Sequence, residues 1–388
     1  MLKLKNNTKI PKRGNNMKQI IISKKDLIEN INKIKKHAEK NGKDDNGNYT
    51  KIIAVVKGNG YGLDIVQYTN FLIDQGIDFF AVSTVEEALK IRQAGINHNL
   101  LNLSSTSIEQ EVEILVENNV ILTLGSEEAV KVAEKAAEKL DKKVRAHIKI
   151  DTGFGRYGFV YNNRDKMVEC LKTIKNIKIE GTFTHFSTAF YDDKYTKLQF
   201  KRFIDCIEVL KMNEIPTGML HICNSSAFIK FPNMHLNAVR IGSAFLGRLS
   251  VQNSLGLKKI GYLKSNVTEI KTLPKDFYVS YGNIYKTKKE TKVAIIPCGY
   301  MDGVNMQMGT DAFRFIDKLR YTFNDFKSLF KNKYLTVKIK DKNYKILGRI
   351  GTYHVIADIT GSDIKSGDEA SFDVYPGYVD SSVRREYL

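Results

Sequence analysis

The sequence is short of cysteine, of acidic residues relative to basic ones, and of long apolar runs. Each shortage removes a class of protein. Four cysteines, Cys170, Cys206, Cys223 and Cys298, occur in 388 residues. They form no CxxC pair and no dense framework, which argues against a zinc ribbon or a disulfide-stapled scaffold. Three sit in apolar or strand-like surroundings and read as buried free thiols, fitting a reducing cytoplasm. No apolar run is long enough to span a bilayer. The opening MLKLKNNTKIPKRGNN is polar and basic and lacks a signal peptide's apolar centre. Residues 1–17 therefore read as a basic, disordered tail, with Met17 as the natural beginning of the folded part. With 61 Lys and Arg against 43 Asp and Glu, the formal charge is +18, so nucleic-acid binding has to be weighed. The lysines are scattered, however, and no dense basic block with interleaved aromatics stands out. The charge reads as a solvated Lys-rich surface, compatible with a basic pocket for an anionic cofactor or substrate. No metal-ligand pattern and no internal repeat is apparent.

What is present is regular alternation. A hydrophobic fraction of 42% over this length supports a sizeable core and two domains. KIIAVVK (51–57) is β-branched and continuous, like a strand buried on both faces. DFFAVS, NLLNLSS, VILTLG, VRAHIKI, IKIEGTFTHF, MLHICN and NAVRIG follow as strand candidates. Helical patterns separate most of them: SKKDLIENINKIKKHAEK with Ser23 as N-cap, STVEEALKIRQAG with a capping-box-like start, and SEEAVKVAEKAAEKL. Eight β/α alternations predict a (β/α)8 TIM-like barrel over 18–255, with a doubly wound open sheet as the competing reading. The first strand, KQIIIS (18–23), precedes the barrel's first helix and could pair with the β domain that follows. From 256 to 388 the texture becomes mostly β, as in YLTVKIKDKNYKILGRIG and VIADITG, with room for a short helix within 310–332.

The polar punctuation falls at the C-terminal ends of the barrel strands, the face where such barrels carry their sites. Strand one ends at Lys57. Strand five carries Lys149 and leads to Arg156. Strand six ends at His185, strand seven at His221, Asn224 and Ser225, and strand eight at Arg240, Gly242 and Ser243. Taken singly, such a lysine is a solvated charge, the histidine a hydrogen-bonded structural group and the glycines parts of turns. Together they place an amine, two guanidinium groups, an imidazole and a Ser/Gly anion seat on one rim. An amine can condense with an aldehyde and an anion seat can hold a phosphate, and pyridoxal 5'-phosphate (PLP) has both groups.

At this point the motifs AVVKGNGYG, HIKIDTGFGRYGF, GTFTHFSTA, NSS…VRIGSAFLG and VSYGNIY…IPCGYMDG resemble, in order and spacing, those of the alanine racemase family. The resemblance runs from about Lys18 to the C-terminus. It implies an isomerase that interconverts L- and D-alanine, with Lys57 as the Schiff-base lysine and one of two proton-transfer groups. Tyr281, the other, would act on the opposite face from a neighbouring subunit, which implies a homodimer. An ordinary tyrosine has a pKa of about 10, so Tyr281 would need nearby cations to act as a base. The resemblance assigns Arg240 to the pyridine nitrogen, with His221 as its partner and His185 beside the ring. Arg156 would contact the cofactor's phenolic oxygen and the substrate carboxylate, and Lys149, carbamylated, would orient Arg156. Tyr61, Tyr300, Asn224, Ser225, Gly242 and Ser243 would hold the phosphate. A role in supplying D-alanine for the cell wall is the family's usual one.

Three segments depart from the family pattern. The lysine motif reads KGNGYGLD, with Gly58 and Gly60 where alanines are usual. GRIGTYHVIADIT puts Gly351, Thr352 and Tyr353 where the family carries Cys-Met-Asp beside the substrate carboxylate and entrance. Ser381 stands where a tyrosine narrows that entrance. A racemase for serine or a larger amino acid is therefore an alternative, with Thr352 at the substrate and Tyr353 and Ser381 at the mouth. More distant are a decarboxylase of the same fold, which would set a carboxylate rather than Arg240 against the pyridine nitrogen, and a non-catalytic PLP carrier, which would lack the β domain.

Overall fold

The computed structural model describes residues 18–41, 47–306, 315–329 and 334–388. The expected N-terminal tail lies outside the described residues. The chain divides into two units, Ser23–Ile260 and the combination of the first strand with Gly261–Leu388.

Within Ser23–Ile260 the anticipated alternation is realised. Counting β1 as Gln19–Ile22, the strands of this unit are β2 (Lys51–Val55), β3 (Phe79–Val82), β4 (Asn99–Asn102), β5 (Leu122–Leu124), β6 (Val144–Asp151), the short β7 (Phe159–Val160), β8 (Ile177–Phe183), β9 (Met219–His221) and β10 (Ala238–Ile241). All pair in parallel in the order β4-β3-β2-β10-β9-β8-β6-β5, with β7 attached to β6. The two ends of that order meet: Asn102 N–H donates to Ile121 O at 3.0 Å and Ile121 N–H to Leu100 O at 2.8 Å. The sheet thus closes into an eight-stranded barrel, and no strand edge is left open. Ile53, Val55, Phe79, Ala81, Leu101, Ile121 and Ala238 are buried together inside it. Burying each large apolar side chain of this kind contributes roughly 1.5–3 kcal/mol.

The helices start where the sequence marks them. Ser23 caps Lys24–Ala38 by accepting from Asp26 N, and Ser126 caps Glu127–Leu140 by accepting from Ala129 N. Val85–Gln93 is capped by Thr84, but its Glu87 does not close a capping box on Thr84. Its carboxylate accepts instead from the backbone N–H of Ser83 (3.1 Å) and of Gly58 (2.5 Å). Buried Asn30 anchors the first helix. Its Nδ2 donates to Phe245 O and Lys258 O, and its Oδ1 accepts from Lys258 N. All four cysteines are buried free thiols.

The other unit is mostly β. It holds β11 (Tyr262–Asn266), β12 (Glu269–Leu273), β13 (Tyr278–Val279), β14 (Tyr285–Lys286), β15 (Thr291–Ile296), β16 (Thr336–Ile339), β17 (Lys342–Lys345), β18 (Val355–Asp358), β19 (Glu369–Phe372) and β20 (Arg384–Tyr387). A six-stranded sheet runs β17-β16-β19-β11-β1-β20, beside a three-stranded sheet β12-β15-β18 and the hairpin β13-β14. The first strand of the chain thus pairs antiparallel with β11 and parallel with β20. A helix, Phe315–Leu329, falls inside the interval where a short one was expected. Among the described residues no helix is long and apolar enough to cross a membrane.

Directly after β2 and Lys57 the chain makes a left-handed turn. Gly58, Asn59, Gly60 and Tyr61 all have positive φ, between 53° and 67°. The turn is closed by Gly60 N–H to Val56 O and Gly62 N–H to Gly58 O. This conformation costs a residue with a Cβ about 1–2 kcal/mol, and glycine far less. A Cβ on Gly60 would also stand 3.2 Å from Tyr68 Cδ1, whereas one on Gly58 would meet nothing within 4 Å. Gly58→Ala should therefore lower the unfolding free energy by about 1 kcal/mol, and Gly60→Ala by about 2 kcal/mol or more. Urea denaturation measures both, and a neutral Gly60→Ala would contradict the turn.

Candidate active site

The parallel strands deliver their C-terminal residues to one rim, and a cavity of about 600 Å³ opens there. Lys57, Tyr61, Lys149, Arg156, His185, Asn224, Ser225, Arg240, Gly242 and Ser243 all line it. Every residue expected from the barrel's rim is therefore present except His221, which lies one layer beneath, fully buried.

Lys57 follows β2 at the start of the left-handed turn and is half-buried. Burial pushes its amine below the ordinary lysine range. The charges of Arg156 and Arg240 push it further, against an opposing pull from Glu87. Lys149, 4% exposed on β6, is pushed down to about 7 by burial first and then by Arg240 and Arg156. Its ammonium group lies 5.1 Å from the Phe183 ring and 5.2 Å from the Tyr157 ring. Two arginines and two lysines line the cavity against one carboxylate, Glu87. Such a surplus favours an anionic ligand.

Arg240 on β10 is held from several sides. Its Nη1 contacts His221 Nδ1 at 2.8 Å and donates to His221 O at 3.1 Å. Its Nη2 donates to Thr184 O at 2.7 Å and Ile222 O at 3.1 Å, and contacts His185 Nδ1 at 3.2 Å. An arginine can only donate, so both imidazoles must offer unprotonated Nδ1 atoms. Burial, then the charge of Arg240, holds His185 and His221 well below the ordinary histidine range, so both rings are neutral near pH 7. Burial brings Arg240 itself to about 10, which leaves it charged.

Ser225 and Gly242, expected at the anion seat, lie together at the end of the barrel. Ser225 Oγ accepts from the backbone N–H of Gly242 (3.2 Å) and Ala244 (3.3 Å). A Cβ on Gly242 would overlap the Tyr61 hydroxyl and stand 2.5 Å from Tyr61 Cζ, so the tyrosine lies directly against a bare backbone.

The remaining expected residues belong to the β unit. Thr352 Oγ1 donates to the Tyr300 hydroxyl at 3.0 Å, and the Tyr300 and Met301 N–H groups donate to Gly351 O and Thr352 O. A Cβ on Gly351 would lie 4.0 Å from Tyr281 Cε2. Tyr281, Tyr300 and Thr352 therefore form one cluster. Tyr353 is exposed, with the Lys18 amine 5.2 Å from its ring. Ser381 is exposed in a turn next to Ser382, whose N–H donates to Asp380.

Several residues escaped the sequence reading. Asp151 organises the Arg156 loop: its carboxylate accepts from the backbone N–H groups of Gly153, Phe154, Gly155 and Arg156 at 2.8–3.1 Å. An aspartate opening a Gly-rich turn was a usable signal. Glu87 ties down the segment after Lys57, and no local pattern pointed to a contact 29 residues away. Phe183 stacks on His221 at 4.8 Å, and His147 hydrogen-bonds His221 from beneath.

Two family models match the chain: alanine racemase, N-terminal domain, over residues 22–249, and alanine racemase, C-terminal domain, over 260–373. The sequence is 37% identical over 260 residues to the alanine racemase of Methanococcus maripaludis, covering 66% of this chain and 69% of that protein. It is 32% identical over 329 residues to alanine racemase 2 of Caldanaerobacter subterraneus, covering 83% and 79%. Among solved structures, alanine racemase of Clostridium difficile 630 superposes with a TM-score of 0.81 at 27% identity, covering 97% of each chain. That of Bartonella henselae, solved with covalently bound pyridoxal phosphate, has a TM-score of 0.76 at 20% identity and shares the fold.

The Tyr61–Gly242 contact yields a direct test. Gly242→Ala should displace the phenol and weaken the uptake of PLP by about tenfold, the effect of roughly 1–3 kcal/mol of overpacking. A fluorescence titration with added PLP reads this, and unchanged affinity would rule out Gly242 and Tyr61 as an anion seat.

Proposed function

Because the chain belongs to the alanine racemase family, we propose that it interconverts L- and D-alanine at the mouth of its barrel, with PLP held covalently by the Lys57 amine. Arg240 carries this reading. A buried guanidinium gripped by two neutral histidines and three carbonyls suits a racemase. A decarboxylase of the same fold would need a carboxylate there.

The residues fit the group. The cationic surplus around the cavity matches a phosphate carrying about −1.5 to −2 charges. Tyr61, Asn224, Ser225, Gly242 and Ser243 would hold that phosphate, and the family resemblance assigns Tyr300 to it as well. The lowered Lys57 pKa raises the fraction of free amine available to bond the aldehyde. When bound, PLP makes the substrate's α-proton acidic by withdrawing electrons from the α-carbon.

Everything else is the work of the chain. With both Nη atoms committed to protein acceptors, Arg240 would offer its Nε–H toward the cofactor's ring nitrogen. A permanent cation there would disfavour protonation of that nitrogen and so limit electron withdrawal and side reactions. His185 would border the ring, and Arg156, with its backbone fixed by Asp151, would receive the substrate carboxylate. Racemisation needs one group to take the α-proton and another to return one from the opposite face. Lys57 Nζ would serve one face. The Tyr281 hydroxyl of a second copy of the chain would serve the other; the residue is 72% exposed on its own chain, which supports a homodimer. Thr352, Tyr353 and Ser381 would shape the substrate side and its entrance. A cytoplasmic enzyme supplying D-alanine for cell-wall synthesis is the corresponding physiological reading.

The deciding experiment incubates the purified protein with PLP and single L-amino acids and follows chirality. L-Alanine should racemise fastest. Faster turnover of serine or a larger amino acid would move the substrate assignment, and CO2 release without racemisation would establish a decarboxylase. Borohydride reduction should fix the cofactor on Lys57. Lys57→Ala and Tyr281→Phe should each lower kcat by about 10²–10⁴-fold.

Lys149 carries a pH prediction. With its amine brought to about 7, the nucleophilic free base gains as pH rises through neutrality. At fixed dissolved CO2, carbamylation of Lys149 should therefore increase from pH 6 to about 8. Intact-mass and peptide analysis reads it, and a bare Lys149 amine at both pH values would rule out a carbamate orienting Arg156.

A further inference from the structure

Beneath the rim the hydrogen-bonded chain continues one residue beyond the pair Arg240–His221. His147 Nδ1 lies 2.9 Å from His221 Nε2. Both rings are buried, at 1% and 0% exposure. The donors and acceptors along this line can be assigned by elimination. Arg240 only donates, so His221 Nδ1 accepts and its proton sits on Nε2. That Nε2–H then points at His147 Nδ1, which must accept. His147 is neutral near pH 7, because burial brings it down to about 3.

The barrel makes room for this contact at some cost in regularity. The β6–β8 ladder shifts register between Ala146 and His147. Opposite it stands Gly181, where a Cβ would come within 2.7 Å of His147 Cε1 and 2.8 Å of Nδ1. A hydrophobic side chain would fill a barrel core without a bulge or a bare backbone, so packing alone does not account for a histidine here.

We propose that His147 is a positioning residue for the racemisation site. By accepting the Nε2–H of His221 it fixes the tautomer whose Nδ1 faces Arg240, and so holds the guanidinium in place. Without that acceptor, His221 can carry its proton on Nδ1 instead. The proton would then oppose an Arg240 N–H, donor against donor, and Arg240 would lose one of its holds. The proposal rests on the racemase reading only in naming what Arg240 serves; the tautomer itself is a property of the chain.

The test uses the full chain labelled with ¹⁵N-histidine, which has seven residues to resolve. Long-range ¹H–¹⁵N spectra should show His221 protonated on Nε2, with a scalar coupling across the hydrogen bond to His147 Nδ1. His147→Leu, which keeps bulk but offers no acceptor, should move His221 toward the Nδ1–H form. It should also lower kcat about three- to tenfold, the worth of one hydrogen bond, with little change in KM. His147→Asn sets a carbonyl oxygen near the position of Nδ1 and should restore both readouts. His221 protonated on Nδ1 in the wild-type protein, or an unchanged His221 spectrum and kcat in His147→Leu, would overturn the proposal. If His147→Leu fails to fold, the wild-type coupling decides alone: present, it supports the relay; absent, it removes it. Failure to bind PLP or racemise alanine would defeat the functional reading and leave the NMR outcome standing.

Discussion

The guanidinium of Arg240 sits 3% exposed in the barrel wall, and among the described residues no carboxylate pairs with it. An isolated buried charge costs several kcal/mol unless its donors are met. Here His221 and His185 present lone pairs and the carbonyls of Thr184, His221 and Ile222 complete the set. Much of the neighbourhood follows from keeping that cation satisfied. Two histidines must stay neutral, His221 must hold its proton on Nε2, and Phe183 stacks on the His221 ring while lying 5.2 Å from the guanidinium carbon.

The same charge governs the titration of its surroundings. Arg240 is among the groups that depress Lys57, Lys149, His185 and His221. Burial is the larger cause each time, and it comes from the closed barrel. The wall therefore produces two chemical conditions at once. It makes lysine amines easier to deprotonate and keeps the histidines neutral.

The fold was legible because parallel strands buried on both faces leave continuous β-branched runs, as in KIIAVV, and because such runs alternate with helical patterns. The rim was legible because a parallel barrel gathers the residues at its strand ends, so order along the chain became position around a ring. Contacts between strand layers left no such trace. Nothing in the local pattern around Glu87 announces its bond to Gly58, and His147 reads as one of several polar residues along β6. Gly181 is a glycine in a strand, and its reason is visible only when the His147 ring lies across from it.

The sequence by itself determined the strand–helix alternation, the helix cap at Ser23, the identity of the rim residues and the chemistry open to them. These depend on local periodicity and on side-chain type, which the linear chain carries in full. Tertiary structure decided which groups share a hydrogen bond, and through that which are charged. His221 meets Arg240 on the neighbouring strand and His147 two strands along the sheet, 19 and 74 residues away. The amine of Lys149 is set by how completely the closed sheet excludes water from it. Burial and donor–acceptor pairing are relations between distant segments, and they exist only once the barrel has closed.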